Sequence, residues 1–592
     1  MLAAEPLFMR WILLFALLLT AGSCSRPSGP LDFNALRGEF IYGTLALSPV
    51  SATAAGYHRH QDRNLDEQLD DLSAAGLDRQ RRYWRDWQKR FAQIDQQTLD
   101  AEDRADLSLM QNQVESALLE LDEIRSWQHN PTLYVELLGH ALFTPFSIEY
   151  APAPDRWRHI IARLQAAPAL LAAARANLNG VPGVWARVAR EENEGNIRLA
   201  GSTLRDAVPQ DLRPAFDQAV EPALAAMHEF AQFLDQLPDA GPDSWRLGPE
   251  KYEKKFKLAM GGTRTVEQSL QEAEQDLRAF RKRMFDIALP LHNRYFPNER
   301  PRVDLNLIVG RVLDRIAENR PTRASYFADA RKTLDETRAF LNANPDQLLT
   351  PPTRDNLELI ETPEFMRGIY GVGGFSTAPA LQPELGAFYW LTPIPDAWSE
   401  ERAQSKLREY NDYALRILTI HEAIPGHYVQ FEYANQIQPE SRRLLRALFG
   451  NGVYIEGWAM YSTEAMLDAG YLNGSPELRL TFLKQMLRAI ANAILDIRLH
   501  TKSMSREDAM ALMLTQTFQE QEEAAAKWQR AQLSSCQLPT YYAGYREFLN
   551  LRSELEKQPG FSRRDFHERA LHAGALPMRT LAELLGVNSP TP

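Results

Sequence analysis

Two histidines six residues apart, with a proline and a glycine between them, set the strictest condition on how this chain can fold. The stretch is His421-Glu422-Ala423-Ile424-Pro425-Gly426-His427. On a regular helix, at about 100° per residue, positions i and i+6 lie about 240° apart, so the two rings would point away from each other. Pro425 removes a backbone donor and clashes with the turn before it, and Gly426 tolerates dihedrals closed to other residues. The spacing therefore predicts a bulge or break within Ala423–Gly426 if both rings are to meet one ion. Without that break, His427 is a helix-end or core histidine and no metal is held.

Further along comes Tyr454-Ile455-Glu456-Gly457-Trp458-Ala459-Met460-Tyr461. Two histidines, an adjacent glutamate and a distant glutamate make the ligand set of a catalytic zinc site with a general base. In the common zincin pattern the histidines sit at i and i+4, on one helical face; here only a broken helix can bring them together. On this reading His421, His427 and Glu456 ligate one zinc ion per chain and water takes the open position, its pKa lowered to roughly 7. Glu422 follows a ligand directly, so it is placed to take the water proton and pass it to the leaving group rather than to share the ion. Glu464, eight residues after Glu456 on the same helical face, is either an outer partner of a ligand imidazole or a solvated surface acid. Trp458 and Tyr461 are expected to pack.

A tetrahedral intermediate needs a donor for its oxyanion. Gln537-Leu538-Pro539-Thr540-Tyr541-Tyr542-Ala543-Gly544-Tyr545 supplies three tyrosines, of which Tyr541 is the candidate. Aromatic core at a helix start is the competing reading. His500 is a further candidate near the site.

Elsewhere the pattern is helical. Leu69, Leu72, Leu77, Tyr83, Trp87 and Phe91 recur at near-helical spacing within Asp66–Trp127, with charges between. The pattern returns in Asp155–Asn177, Trp185–Ala200, Pro214–Gln236, Val266–Leu291, Leu305–Glu318 and Arg323–Ala343. It resumes in Glu401–Gln430, Glu440–Phe449, Val453–Ala469, Pro476–Met504, Arg506–Leu533, Tyr541–Glu556 and Asp565–Leu585. Between these blocks, 349–400 is rich in Pro, Gly and aromatic residues, and Gly386–Thr392 reads as one extended segment. It is either a surface loop or a substrate-binding edge ahead of the metal helix. The fold class expected is mostly α: a large helical body with a cleft, zincin-like active-site helices and a small extended edge near 386–392.

The formal net charge of −11 and the lack of a Lys/Arg block argue against nucleic acid as a partner. Arg10, the apolar run Trp11–Leu19 and the small residues before Cys24 read as a secretory signal over residues 1–23, too short for a comfortable membrane span. Ala21-Gly22-Ser23-Cys24 resembles a bacterial lipobox, with Ala21 where Leu is usual. On that reading Cys24 is lipidated, residues 24–38 form the lipidated Cys and its tether, and residues 39–592 form a single large helical domain. Ser25 after the Cys suits an outer-membrane lipoprotein facing the periplasm. An ordinary cleaved signal or an uncleaved anchor are the alternatives. Cys536 is then a lone thiol, expected to be buried.

These segments together resemble the bacterial family catalogued as domain of unknown function 885, whose signature is HExxPGH followed by EGWAxY. The matching residues are His421 to Gln430 and Glu456 to Tyr461. Supporting stretches are Ser48-Pro49 with Gly56-Tyr57-His58, Gln537 to Gly544 with Leu551-Arg552, and Phe566-His567-Glu568-Arg569 with Gly574 and Pro577. The resemblance implies a mostly helical fold and a metallopeptidase site like that of the helical gluzincins, often in a lipoprotein. The function expected is zinc-dependent hydrolysis of short peptides in the cell envelope. A zinc amidase or esterase, and a non-catalytic envelope-binding lipoprotein, are the alternatives; the intact Glu422 speaks against the last.

Overall fold

The computed structural model describes residues 32–262, 264–299, 304–367 and 371–587. The expected signal, Cys24 and residues 25–31 of the expected tether lie outside the described residues. Helices make up 69% of the chain, as the repeated apolar spacing requires. The tether expected over residues 24–38 overlaps helical chain. Helix α1 (Phe33–Leu47) already starts inside it, capped by the Asp32 carboxylate on the Ala35 N–H. Phe33, Leu36 and Arg37 are buried, so this segment cannot act as a free spacer.

Two hydrophobic cores form. One gathers the helices between Phe33 and Gln236 together with Leu444 and Leu445, the other the remaining helices between Pro249 and Leu584. A buried ion cluster locks the distant helix that carries Leu444 and Leu445 onto the first core. Asp106, on helix α2 (Ala101–Leu119), accepts from Arg37 of α1 and from Arg442 and Arg446 of helix α5 (Glu440–Leu448).

Most expected helices are present, and the differences have local causes. Glu401–Gln430 is not one helix but three. Asn411 ends the first and caps α3 (Asp412–Glu422), its side chain accepting from Tyr413 N and Ala414 N; α4 (His427–Ala434) follows the Pro-Gly break. Arg506–Leu533 is interrupted where Phe518 takes a positive φ, leaving α8 (Gln521–Leu533) as a separate helix. Helix α6 (Gly452–Asp468) starts on an Asn451 cap, and α7 (Pro476–Thr501) runs almost wholly buried through the second core. Helices α9 (Pro539–Leu555) and α10 (Arg563–Ala573) complete the site's surroundings.

The extended segment is real but is not the edge. Strands β1 (Leu357–Glu361), β2 (Gly373–Ser376) and β3 (Ala387–Leu391) form a mixed sheet with β3 in the centre. β3 runs parallel to β1, with Leu359 opposite Tyr389, and antiparallel to β2, with Phe375 opposite Tyr389. Its buried residues Tyr389, Trp390 and Leu391 explain why it is covered on both sides. β2 is an edge strand whose Phe375 packs on His427, Tyr428 and Phe431. No helix among the described residues is long and apolar enough to cross a membrane.

Candidate metal centre

The break required by the histidine spacing is present. α3 ends at Glu422, Ala423 leaves helical geometry at φ −121° and ψ −86°, and α4 begins at His427. A Cβ on Gly426 would collide with the carbonyl oxygens of Ile420 and His421, so only glycine fits this reversal. Trp458 of α6 pins it, its indole N–H donating to the Pro425 carbonyl at 2.9 Å. The two imidazoles thereby meet, with ring centroids 4.9 Å apart and planes 80° apart.

Glu456 reaches them from α6. That helix crosses α9 where Gly457 faces Gly544; a Cβ on either would strike the other's backbone, so the glycine pair permits the approach. Glu456 Oε2 lies 3.5 Å from His421 Nε2 and 3.6 Å from His427 Nε2. Buried as it is, this oxygen has no hydrogen-bond partner. A tetrahedral zinc ion with bonds of about 2.0–2.1 Å would set its ligands about 3.4 Å apart. Two imidazole nitrogens at that spacing from one orphaned carboxylate oxygen fit a shared metal better than they fit the oxygen itself. Burial alone would raise the Glu456 carboxyl; the two imidazoles outweigh it and hold the group well below the usual carboxylate range.

Glu422 stands beside this trio. Its ligand atom lies within 4.8 Å of those of His421 and His427, so by distance alone it too could complete a metal site. Glu456 has the better claim, because its free oxygen already faces both Nε2 atoms. Burial pushes the Glu422 carboxyl up, against the pull of His421 and His427. Two carboxylates in one site are thus driven apart in proton affinity, the pattern of an acid–base pair.

Two glutamines that sequence reasoning passed over hold these groups. His427 Nδ1 faces Gln430 Oε1 at 3.3 Å, which assigns the proton to Nδ1 and leaves Nε2 free toward Glu456. Gln537 Nε2 donates to the Tyr541 hydroxyl at 3.1 Å and faces Glu456 Oε1 at 3.5 Å. Gln430 lies three residues from His427 within α4, and Gln537 four residues from Tyr541 just ahead of α9, spacings that could have flagged both. Tyr541 stacks toward His421 at 6.1 Å, and burial followed by the Glu456 charge raises its hydroxyl, so it stays a donor. Phe375 of β2 stacks on His427 at 6.2 Å. His421, Glu422 and Tyr541 line a cavity of about 360 Å³, next to a second of about 390 Å³ that shares seven residues with it, among them the acids Glu409 and Glu523 and the bases Lys527 and Arg530. Both are of ligand-binding size.

The remaining candidates lie elsewhere. Glu464 is buried but serves α9: it accepts from the Tyr545 hydroxyl and neighbours Arg479 at 3.6 Å, not an imidazole. His500 has both nitrogens committed, Nδ1 to the Leu247 N–H and Nε2 to the Ser534 carbonyl, and is packed by Trp245 and Tyr252. It is a core histidine, since those contacts hold it away from the cluster. Cys536 is a buried free thiol, and Cys24 lies outside the described residues.

The chain belongs to the family described as "Bacterial protein of unknown function (DUF885)", whose profile matches residues 49–585. It is similar to a solved structure from Shewanella oneidensis described as "a putative lipoprotein of unknown function", at 30% identity and a TM-score of 0.76, covering 94% of this chain and 100% of that one. It also shares its fold with a "putative lipoprotein" from Colwellia psychrerythraea, at 16% identity and a TM-score of 0.77, covering 94% and 98%. No curated protein matches the sequence.

Proposed function

We propose that this member of the family is a zinc-dependent peptidase of the cell envelope, acting on short peptides. The observation that carries the reading is the buried Glu456 Oε2, without a hydrogen bond and facing two Nε2 atoms at the spacing of tetrahedral ligands. His421, His427 and Glu456 would hold the ion, which when bound would polarise the scissile carbonyl and acidify water.

The chain's own groups divide the rest of the work. The Glu422 carboxylate takes a proton from the attacking water and delivers it to the leaving amine. The Tyr541 hydroxyl, oriented by Gln537, donates to the oxygen that becomes negative. Strand β2, beside His427, offers its backbone to an extended peptide. A lipid on Cys24 would tether the enzyme to the outer membrane with its cleft in the periplasm.

Metal analysis of the purified protein together with a peptide-library digest read by mass spectrometry tests this. About one zinc per chain is expected, with cleavage that stops on chelation and returns with zinc. Absence of bound metal, or zinc-loaded protein inert on the whole library, would overturn the reading.

A further inference from the structure

Five guanidinium groups line the two cavities. Four are matched by carboxylates: Arg367 with Glu361, Arg402 with Glu522, Arg408 with Glu520 and Arg488 with Glu409. Arg530 has no carboxylate within 4.0 Å among the described residues. Its Nη2 donates instead to Gln537 Oε1 at 3.4 Å, and it is half-buried in the wall the two cavities share. Lys527 lies one turn earlier on the same face of α8, with Glu523 at 4.0 Å. Glu523 is also held by the Tyr410 hydroxyl at 3.2 Å, so it only partly answers Lys527. A half-buried guanidinium with no carboxylate of its own is free to take a ligand's, and its planar fork matches a carboxylate in two-point contact.

Position adds to charge. The same Gln537 carboxamide that accepts from Arg530 donates to Tyr541. One side-chain amide therefore separates the unmatched guanidinium from the hydroxyl aimed at the scissile carbonyl. That gap corresponds to about two residues of extended chain at most, at about 3.3–3.6 Å each.

We propose that Arg530, seconded by Lys527, receives the free α-carboxylate of a peptide, making the enzyme a carboxy-exopeptidase that removes one or two residues from C-termini. This rests on the peptidase reading. The scissile C–N bond breaks; water adds its hydroxyl to the carbonyl carbon and its proton, through Glu422, to the departing amine. An internal Asp or Glu side chain offers the same carboxylate, but only a chain end lies that near the bond without threading further residues past the wall.

The test uses the full zinc-loaded protein and three synthetic peptides of one sequence. These are a free acid, its C-terminal amide, and the amide with a Glu placed one or two residues after the cleavage point. The free acid should be cleaved about 10–100-fold faster than the plain amide, the range a charge-assisted pair supports, with products shortened by one or two residues. In Arg530→Gln the rates on acid and amide should converge, mainly through KM, and Arg530→Lys should restore part of the gap. Binding of the intact acid and amide to Glu422→Gln protein, by calorimetry, should show the same preference, lost in Glu422→Gln/Arg530→Gln. Zinc content and a thermal melt confirm that each variant is folded.

Equal cleavage of acid and amide by the parent would overturn the exopeptidase proposal and leave the peptidase reading standing. So would an Arg530→Gln variant that slows both by one factor. Cleavage of the Glu-containing amide as fast as the free acid would assign Arg530 to an acidic side chain instead. Zinc-loaded parent that cleaves no peptide would overturn both readings.

Discussion

Glu456 and Asp106 both hold buried carboxylate oxygens among basic side chains, and they are opposites. Asp106 is inaccessible to solvent, yet each of its oxygens is claimed: Oδ2 by Arg37 and Arg442, Oδ1 by Arg446. Glu456 faces two imidazoles that stand too far off to bond it well, and its Oε2 is claimed by nothing. A buried polar group without a partner costs about 1–3 kcal/mol, more when charged, so a fold keeps one only where something else supplies the partner. The paired cluster reads as a fastener that holds α5 against α1 and α2. The unpaired one reads as a candidate metal centre.

The sharpest way to break this contrast is through Glu422. Glu422→Gln keeps the volume and removes the proton acceptor. Turnover should fall by about 10²–10⁴-fold, while zinc content and the thermal midpoint stay at parental values. Parental turnover would remove Glu422 from the chemistry. Lost zinc would exchange the roles of Glu422 and Glu456.

Asp106→Ala should do the reverse. It takes one partner from three guanidiniums, which keep Asp103 (Arg37, Arg442) and Glu102 (Arg446). The cost should therefore fall below that of a fully broken buried pair, about 3–5 kcal/mol, and come to about 2–3 kcal/mol. Denaturant unfolding would report that loss, with one zinc per folded chain retained. A change within about 0.5 kcal/mol, the range of a neutral surface substitution, would mean the fastener carries no stability.

Which of these clusters could be read in advance follows from how far apart its members lie in sequence. His421, Glu422 and His427 sit within one short run, and the Pro425-Gly426 pair announced the break that brings the rings together. Gln430 and Gln537 were visible in principle, at helical spacing from His427 and Tyr541. Phe375 and Arg530 were not, because the sheet and α8 reach the cleft only through long-range packing. The Asp106 cluster joins residues more than three hundred positions apart, and no local pattern marks it. Helix breaks at Asn411 and Phe518 were missed for a related reason: apolar periodicity ran on while capping and backbone geometry ended the helix.

Metal dependence sharpens the comparison next. Zinc at 100 times its Kd should raise stability by about 2.7 kcal/mol, by mass action on the folded state. Glu456→Gln should forfeit most of that gain. With chelator present it should cost less than it does with zinc, because only the attraction of the two imidazoles is then lost. A Glu456→Gln protein destabilised equally with and without metal would mean that Glu456 is held by the imidazoles as Asp106 is by its arginines and ligates nothing. Differential scanning calorimetry with zinc and with chelator decides between these.

The smallest effect concerns an imidazole that follows the paired rule although it lies close behind the site. His567 of α10 donates from Nδ1 to the Leu348 carbonyl at 2.7 Å and accepts at Nε2 from the Tyr461 hydroxyl at 2.7 Å. Its ring packs edge-on to Trp458, the residue that pins the helix break. Burial pushes its pKa down to about 3, beyond what the Leu348 carbonyl restores. The unfolded chain, with an ordinary pKa of about 6.5, binds the proton that the folded chain refuses. Stability from this group is therefore complete above about pH 6.5 and is lost as pH falls from there toward 3. At pH 5 the loss should be about 2 kcal/mol. The metal ligands add an acid sensitivity of their own, so the useful quantity is the difference between parent and His567→Gln in urea unfolding at pH 8 and pH 5. The variant should start less stable at pH 8, having lost a fitted pair of hydrogen bonds, and should lose about 2 kcal/mol less than the parent on acidification. An unchanged pH slope would mean that the ring takes up its proton in the folded state, and that Tyr461 and Leu348 do not hold it neutral.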